Sequence, residues 1–208
     1  MGIDISGAIE CRPGFGFLPD PEVAWEFAID LAQLNCSQSY DAFGCLLGVA
    51  NYAGFTPIAA ERGLPSDIAD RTRQDHARYS NESFAQTWVT WAELDAVDWD
   101  EPAERPDARV HRYLQDADGG WVMADKSSWN RDLAQVTGVS LADATAGTPV
   151  YPEGTQWRIG NQLFRSERLI RRDAVPATGA WAPVWTVMRT LADLHGGDNV
   201  RLIVWFDR

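Results

Sequence analysis

VRLIVWFD, at residues 200–207, is the stretch of the sequence that decides the fold. It is a continuous apolar run with the residue types and the length of a β-strand. We therefore predict a strand here that lies in the centre of a sheet. Shortly before it, TGAWAPVWTVMRTLADLHGG at 178–197 carries apolar side chains in one stripe at helical spacing and ends in two glycines. This pattern predicts an amphipathic helix.

Alternation of apolar and polar residues predicts further strands. The first alternates Ile3, Ile5 and Ile9 with polar neighbours. Residues 23–34 alternate as well, and both a strand and a helix remain open for them. The other strand candidates are residues 86–90, the two arms of a hairpin over 109–124 with the turn DADGG, and an arginine-rich region over 156–175.

Two more helices are predicted from capping residues and apolar runs. Asp41 is expected to cap a short buried helix, AFGCLLGVANYA. Ser66 or Asp67 is expected to cap a polar helix that extends to about Tyr79. Helices are also expected near Trp91 and in the segment SSWNRDLAQVTG.

These elements predict an α+β (mixed α/β) fold. We expect a single compact domain over residues 1–208, with a mixed sheet, a central C-terminal strand and packed helices. Proline-flanked or small, flexible residues predict exposed loops at 101–107 and 138–155.

The charge and the hydropathy of the chain argue against several classes of function. The formal net charge of −12 at pH 7 argues against a surface built to bind nucleic acid. No stretch approaches the roughly 18–20 apolar residues that span a bilayer, and the N-terminus lacks the pattern of a secretory signal. We therefore expect a soluble, cytoplasmic protein. Among its 18 basic residues only Lys126 is a lysine, a bias that resembles GC-rich bacterial or phage genomes.

Cysteine and histidine do not form a recognisable site in the sequence. The three cysteines, Cys11, Cys36 and Cys45, are odd in number and include no CxxC pair, and the three histidines are widely scattered. Free buried thiols are the simplest interpretation. Neither a metal site nor a cofactor is expected.

Catalytic signatures such as the P-loop, HExxH and GxSxG are missing, so carboxylates are the abundant candidate chemistry. Asp95, Asp98, Asp100 and Glu101 crowd the end of a tryptophan-flanked helix. Such a cluster could bind a cation through oxygen, although a solvated acidic face explains it more simply.

A basic run stands out in this acidic chain. It consists of Arg165, Arg168, Arg171 and Arg172. If these side chains converge, they form an anion site suited to phosphate or carboxylate. Salt bridges to the acidic surface explain the run equally well.

Ten tryptophans are the most unusual feature of the composition. Aromatic side chains usually pack in the core, because each buries a large apolar area. Five of them cluster in two short segments and could instead line a pocket that stacks a flat ligand. These five are Trp88, Trp91, Trp99, Trp181 and Trp185.

Several blocks of sequence, taken in order, resemble a family of uncharacterised proteins from phages and bacteria. The blocks are the opening MGIDI with Glu10 and Arg12, YDAFGCLLGVANY, ERGLPSDI, TWVTWAEL and the closing VRLIVWFD, and they span nearly the whole chain. Relatives carry cysteine where this chain has Ile3, histidine where it has Ser6, and histidines before the tryptophan that matches Trp88. Since this chain lacks these reactive groups, the resemblance implies a scaffold that binds rather than catalyses.

The resemblance also implies a set of shared polar and aromatic residues. We expect the ERGLPSD loop, the start of the first strand and the end of the last strand to border one pocket, because α/β sites usually form where elements end. In the alternative interpretation, Arg62 and Asp67 form one buried pair that holds the loop. The candidate ligand-binding residues are Asp4, Tyr40, Asn51, Arg62, Asp67, Trp88 and Asp207, with Glu93 beside them.

The leading functional prediction is a phage- or prophage-type accessory protein that binds a small anionic or planar ligand, such as a nucleotide. Arginine and stacking tryptophan would hold that ligand. The second is a hydrolase that uses Asp4, Asp67 or His76, with or without a metal ion. The third is an acidic inhibitor that binds another protein. An exposed, tryptophan-bearing edge strand would make a homodimer natural.

Overall fold

The computed structural model of the protein describes residues 2–14, 23–35, 37–78, 82–146 and 151–208. Within these residues the fold is α+β, as predicted. No helix in this part of the chain has the length and apolar character that crossing a membrane requires. The strands are β1 (Asp4–Cys11), β2 (Glu26–Asp30), β3 (Phe84–Thr90), β4 (Val110–Gln115), β5 (Trp121–Ser127), β6 (Gln156–Ile159), β7 (Gln162–Arg165) and β8 (Val200–Asp207).

The first sheet has the strand order β2-β1-β8-β3, and each neighbouring pair is antiparallel. β8 is the predicted C-terminal strand, and its central position between β1 and β3 is confirmed. Every side chain from Val200 to Phe206 is buried. Successive residues point to opposite faces, so both faces of the sheet are covered here, and a continuous apolar run meets that requirement.

The second sheet has the order β5-β4-β7-β6 and consists of two paired hairpins. The predicted hairpin over 109–124 is confirmed as β4 and β5, and Asp116 accepts backbone hydrogen bonds from Asp118 and Gly120 in the turn. The prediction of one mixed sheet is therefore wrong, since the strands divide between two antiparallel sheets. Tight turns join antiparallel neighbours, whereas parallel neighbours need long crossovers.

The helices are short except for one. α7 (Ala182–His195) is the predicted amphipathic helix; it has Pro183 in its first turn and is followed by Gly196, where the backbone turns to positive φ. A π-helical turn over Phe43–Leu47 continues α1 (Tyr40–Ala42). The helices are α1 (Tyr40–Ala42), α2 (Asp70–Ala77), α3 (Trp91–Asp95), α4 (Arg131–Thr137), α5 (Leu141–Ala146), α6 (Arg171–Ala174) and α7 (Ala182–His195).

The predicted caps of α1 and α2 are wrong. Asp41 lies inside α1, and its carboxylate pairs with Arg109 and Lys126 instead of the helix backbone. Ala69 occupies the N-cap position of α2, because the carboxylate of Asp67 is engaged by other side chains. Tyr79, the predicted end of that helix, lies outside the described residues.

Residues 23–34, for which two structures were possible, and the two predicted loops adopt different kinds of structure. Residues 23–34 contain β2 followed by a single 3-10 turn at Leu31–Gln33. Residues 101–107 are irregular, as expected, but Ala103 and Asp107 within them are buried. α5 occupies part of 138–155, and residues 147–150 of that stretch lie outside the described part. That the whole chain forms one domain stays a prediction.

The main core lies between the first sheet and α7. Val184 and Met188 of α7 are fully buried, as are Ile9 and Phe206 of the sheet. Beyond α7, a Cβ placed on Gly197 would meet Ala92 of α3 at 3.2 Å, so the end of α7 packs closely against the start of α3. This contact brings α3 and α7 side by side.

Candidate functional site

Asp4 and Asp207 lie opposite each other where β1 and β8 pair, at the end of the first sheet. Asp4 accepts a hydrogen bond from the side-chain amide of Gln38. Burial and the nearby carboxylates of Asp4 and Glu82 raise the pKa of Asp207 above its ordinary value. The fold therefore brings these two predicted residues together as like charges.

Tyr40 and Asn51 serve the local structure. The hydroxyl of Tyr40 accepts a hydrogen bond from the backbone amide of Ile3 at 3.2 Å. The side chain of Asn51 accepts hydrogen bonds from the backbone amides of Gly54 and Phe55 at 3.0 Å and donates one to the carbonyl oxygen of Phe55 at 2.7 Å. Asn51 thus holds the turn that follows it.

Arg62 reaches the end of β3 and the start of α3. Its guanidinium pairs with Glu93 at 2.8 Å, donates to the carbonyl oxygen of Trp88 at 3.2 Å and lies 5.2 Å from the centre of the Trp88 ring. Glu93 also forms a capping box with Thr90 at the start of α3. These contacts bring Arg62, Trp88 and Glu93 together and fasten the loop to α3.

Asp67 belongs to a different cluster, around Arg201. One carboxylate oxygen accepts a hydrogen bond from Arg201 at 2.8 Å, and the other accepts one from the indole of Trp25 at 2.9 Å. Burial alone would raise the pKa of Asp67, but these hydrogen bonds outweigh it and hold the pKa below its ordinary value. The alternative in which Arg62 and Asp67 form one pair is wrong, because each has another partner.

Arg201 joins this cluster to a buried ion pair that the sequence reasoning missed. Arg201 and Glu10 pair at 2.9 Å, and their side chains are 3% and 0% exposed. Glu10 also accepts the backbone N–H of Ala69 at 3.0 Å, and the Arg201 guanidinium stacks 3.8 Å from the centre of the Trp25 ring. One signal was available: an arginine in an otherwise apolar central strand needs a buried acidic partner.

A small cavity of about 120 Å³ lies between the first sheet and α2, close to the start of β1. Ser6 and Trp205 line it from the sheet, and Thr72 and Asp75 line it from α2. The hydroxyl of Thr72 and the indole N–H of Trp205 are buried and have no hydrogen-bond partner within the described part of the chain. The cavity suits a few water molecules. None of the seven predicted ligand-binding residues lines it.

The residues predicted for hydrolysis do not share a site. Asp4 and Asp67 lie in the separate clusters described above. A ring nitrogen of His76 lies 3.1 Å from the hydroxyl of Ser83, and burial lowers the pKa of His76. Among the residues that the structure describes, no group of three or more His, Cys, Asp or Glu side chains is arranged to hold a metal ion.

The four arginines between 165 and 172 do not converge on one anion site. Arg165 ends β7 and Arg171 begins α6, so strand alternation does not extend through the run. Every one of them has a carboxylate partner, in keeping with the salt-bridge interpretation. The pairs are Arg165–Glu167, Arg168–Glu153, Arg171–Glu101 and Arg172–Asp100.

A larger cleft, of about 590 Å³, lies between α3, α7 and the segment that follows α6. Its walls include three half-buried indole rings: Trp91 from α3, Trp99 from the loop after α3, and Trp185 from α7. We call it the tryptophan cleft. Its other lining residues are Leu94, Asp95, Arg172, Asp173, Val175, Pro176, Ala177 and Arg189.

Helical spacing sets the pattern of side chains in the tryptophan cleft. Trp91 and Asp95 lie four residues apart on α3, and Trp185 and Arg189 lie four residues apart on α7, so each helix presents an indole and a charge on one face. The guanidinium of Arg189 lies 5.6 Å from the centre of the Trp91 ring. Behind Trp185, the buried Trp181 stacks at 5.3 Å with an angle of 22° between the rings. This stacking holds Trp185 against the core.

The charges of the tryptophan cleft differ in how they are compensated. Arg172 pairs with Asp100 outside the cleft. Arg189 stacks on Trp91 and has no carboxylate partner among the described residues, and Asp95 likewise has no ion-pair partner among them. A cation and an anion are therefore both available to a ligand.

The hypothesis that the clustered tryptophans line a pocket identified residues of this region, but it did not predict how they are arranged. Trp91, Trp99 and Trp185 line the cleft, whereas Trp181 lies in the core and Trp88 is covered by Arg62. The signal that could have found the cleft is the pair of i, i+4 spacings that joins each helical indole to a charge. The predicted ligand-binding residues do not contribute to it, and their role in binding stays a prediction.

A buried polar cluster in the second sheet was also missed. The ring of His111 is 1% exposed and lies between Glu167, at 3.0 Å, and Asp107, at 3.4 Å. Burial would raise the pKa of Asp107, but hydrogen bonds from His111 and Arg109 outweigh it and hold the pKa well below its ordinary value. These contacts pair the buried polar side chains with one another, so we interpret the cluster as structural.

Comparisons with protein-family models, with curated proteins and with solved structures find no match for this chain.

Proposed function

We propose that the protein is an accessory protein of phage or prophage type that binds a small, planar, anionic ligand of the nucleotide kind in the tryptophan cleft. The observation that carries the proposal is one cavity that combines three half-buried indoles with an arginine free of ion pairs to the described residues. Indole rings stack on planar ligands, and a guanidinium binds phosphate or carboxylate through paired hydrogen bonds.

The size and the lining of the cleft favour binding over catalysis. Its volume of about 590 Å³ falls within the range of roughly 300–1,000 Å³ that small-molecule sites occupy. Among the described residues that line it, none is Ser, Cys or His, so a hydroxyl or thiol nucleophile paired with a histidine base is not available there. A stacking site with one cation therefore fits a ligand-binding role better than hydrolysis.

Intrinsic fluorescence and thermal unfolding test the proposal together. AMP, GMP and UMP are titrated, with inorganic phosphate as an anion that cannot stack. We expect a nucleotide to quench tryptophan emission and to raise the melting temperature, because a ligand that binds only the folded state stabilises it.

Arg189→Gln should weaken nucleotide binding by about tenfold or more, since it removes the charged partner of the phosphate. Arg131→Gln removes another exposed arginine from a helix outside the cleft and should bind as the unaltered protein does. The proposal fails if no nucleotide binds, or if both variants bind nucleotide equally well.

The hydrolase, the acidic inhibitor and the homodimer remain predictions. No contact among the described residues specifically supports the acidic inhibitor or the hydrolase. For the homodimer, the edge strand β5 exposes Val122 and Met123 beside Trp121. Sedimentation of the purified protein over a range of concentrations tests that prediction directly.

A further inference from the structure

The tryptophan cleft carries opposite charges at its two ends. The end of α7 packs against the start of α3, and Arg189 stacks on Trp91, the first residue of α3. Asp95 lies one helical turn further along α3, roughly 6 Å away along the axis. Trp185 precedes Arg189 by one turn on α7, which brings it towards the Asp95 end. An indole therefore accompanies the cation at one end and the anion at the other.

The carboxylate of Asp95 limits which hydrogen-bonding groups of a ligand can lie against it. Its side chain is exposed, and it lines the cleft with no ion-pair partner among the described residues. An ionised carboxylate only accepts hydrogen bonds, so a ligand edge that faces it must offer N–H or O–H groups. Asp173 and Arg172, both in α6, also line the cleft, and Arg172 is already paired with Asp100. A ligand with an acceptor at this edge would be repelled.

The common nucleobases differ at the edge that would meet Asp95. Guanine offers a ring N–H and an amino group side by side, which match the two oxygens of one carboxylate. Adenine offers an amino group next to a ring nitrogen that accepts, and uracil offers one N–H between two carbonyl groups. Both would oppose an acceptor to an acceptor, which leaves the carboxylate and the base without a hydrogen bond at this point and disfavours binding.

A nucleotide also carries its phosphate at the end away from the base edge. With the base edge at Asp95, the phosphate lies towards Arg189, and the ring lies against the indoles between them. The charge order of the cleft thus matches the charge order of the ligand. We infer that the tryptophan cleft selects guanine nucleotides over adenine and uracil nucleotides, with Asp95 reading the base edge and Arg189 binding the phosphate. This inference rests on the proposed function and specifies its ligand.

Fluorescence titration or calorimetry with GMP, AMP and UMP tests the selectivity. We expect GMP to bind at least about tenfold more tightly than AMP, because only guanine pairs both of its donors with the carboxylate. In Asp95→Asn the amide replaces one acceptor by a donor, so the GMP-to-AMP preference should fall to near one. Asp98→Asn, an exposed neighbour that does not line the cleft, should keep the preference.

The outcomes separate this inference from the function on which it rests. Equal affinity for GMP and AMP, or a preference that Asp95→Asn leaves unchanged, overturns the selectivity; nucleotide binding that Arg189→Gln still weakens would then leave the proposed function standing. The absence of binding by all three nucleotides overturns both. Guanosine serves as the probe for Arg189: Arg189→Gln should reduce GMP affinity while leaving that of guanosine the same.

Discussion

Asp4 and Asp207 are directly opposed in the antiparallel pairing of β1 and β8, so two carboxylates face each other at the end of the central strand pair. Like charges in opposed positions of a sheet destabilise it. Gln38 compensates Asp4 through a hydrogen bond, whereas burial and the charges of Asp4 and Glu82 raise the pKa of Asp207. The pairing of β1 with β8 therefore ends in repulsion between two like charges.

Asp207→Asn should stabilise the protein at neutral pH by roughly 0.2–1 kcal/mol, the range for one opposed charged pair. The sign follows from the raised pKa: the penalty is absent below the ordinary pKa of 3.8 and grows as the pH rises through the folded-state value. Urea unfolding at pH 7 and at pH 3.5 measures it. A gain of the same size at both pH values would contradict the electrostatic explanation, because at pH 3.5 the carboxyl is mostly protonated in both states.

Arg201→Ala should be strongly destabilising, by about 3–5 kcal/mol, because it leaves the buried carboxylate of Glu10 without its cation. Chemical denaturation compares this variant with Arg78→Ala, which removes an exposed arginine paired with Asp75 at 3.0 Å. We expect the control to lose less than about 1 kcal/mol. Similar losses for both variants would show that the Glu10–Arg201 pair contributes no more than a surface pair.

Asp67→Asn should destabilise the protein at pH 7, and the difference from the unaltered protein should shrink in acid. Since hydrogen bonds from Arg201 and Trp25 depress the pKa of Asp67, its contribution is present above the ordinary pKa of 3.8 and is lost as the pH falls through the folded-state value. Melting temperatures of both proteins between pH 7 and pH 3 test this. A constant difference across that range would mean that the charge of Asp67 does not contribute.

The sequence was sufficient to predict most individual elements of the fold. Local patterns determine them: the apolar run of β8, the stripe of α7 and the turn residues of the β4–β5 hairpin are readable one segment at a time. The division into two antiparallel sheets was not predicted, because it depends on which strands pair. Pairing is a long-range property that periodicity alone does not encode.

The candidate site was harder to predict for the same reason. Arg62 and Asp67 are five residues apart, yet they pair with Glu93 and Arg201, which lie far along the chain. Residues at the ends of elements suggested a pocket, and most of them turned out to hold loops and caps. The cleft itself depends on the packing of α3 beside α7, so only its tryptophans could be named in advance.

Cys45 should be nearly inert towards thiol reagents in the folded protein. Burial raises the pKa of its thiol to about 11, although the guanidinium of Arg171 donates to the sulfur at 3.6 Å. Since the thiolate is the reactive form, the rise from 9.0 lowers reactivity by about 100-fold at pH 8. Burial also raises the pKa of Cys11.

The measurement uses a Cys36→Ser variant, which leaves these two thiols to be counted. Ellman's reagent at pH 8 should titrate two thiols in denaturant and react far more slowly in the native state. Rapid native reaction of either thiol would contradict the burial of that cysteine.

Lys126 should resist amine-specific labelling as long as the junction between the two sheets is intact. Its ammonium lies in β5 of the second sheet and pairs at 2.6 Å with Asp41 of α1, beside the first sheet, and its side chain is 11% exposed. Arg109, which directly precedes β4, binds the other oxygen of the same carboxylate, so Asp41 holds two cations at once. Asp41→Asn removes the nearest carboxylate partner of Lys126 and leaves only that of Asp107, at 3.9 Å, so labelling of Lys126 by an N-hydroxysuccinimide ester should become several-fold faster. The α-amino group is the only other amine of this single-lysine chain and serves as the internal standard in mass spectrometry. Equal labelling rates in the two proteins would mean that this ion pair does not fasten the sheets together.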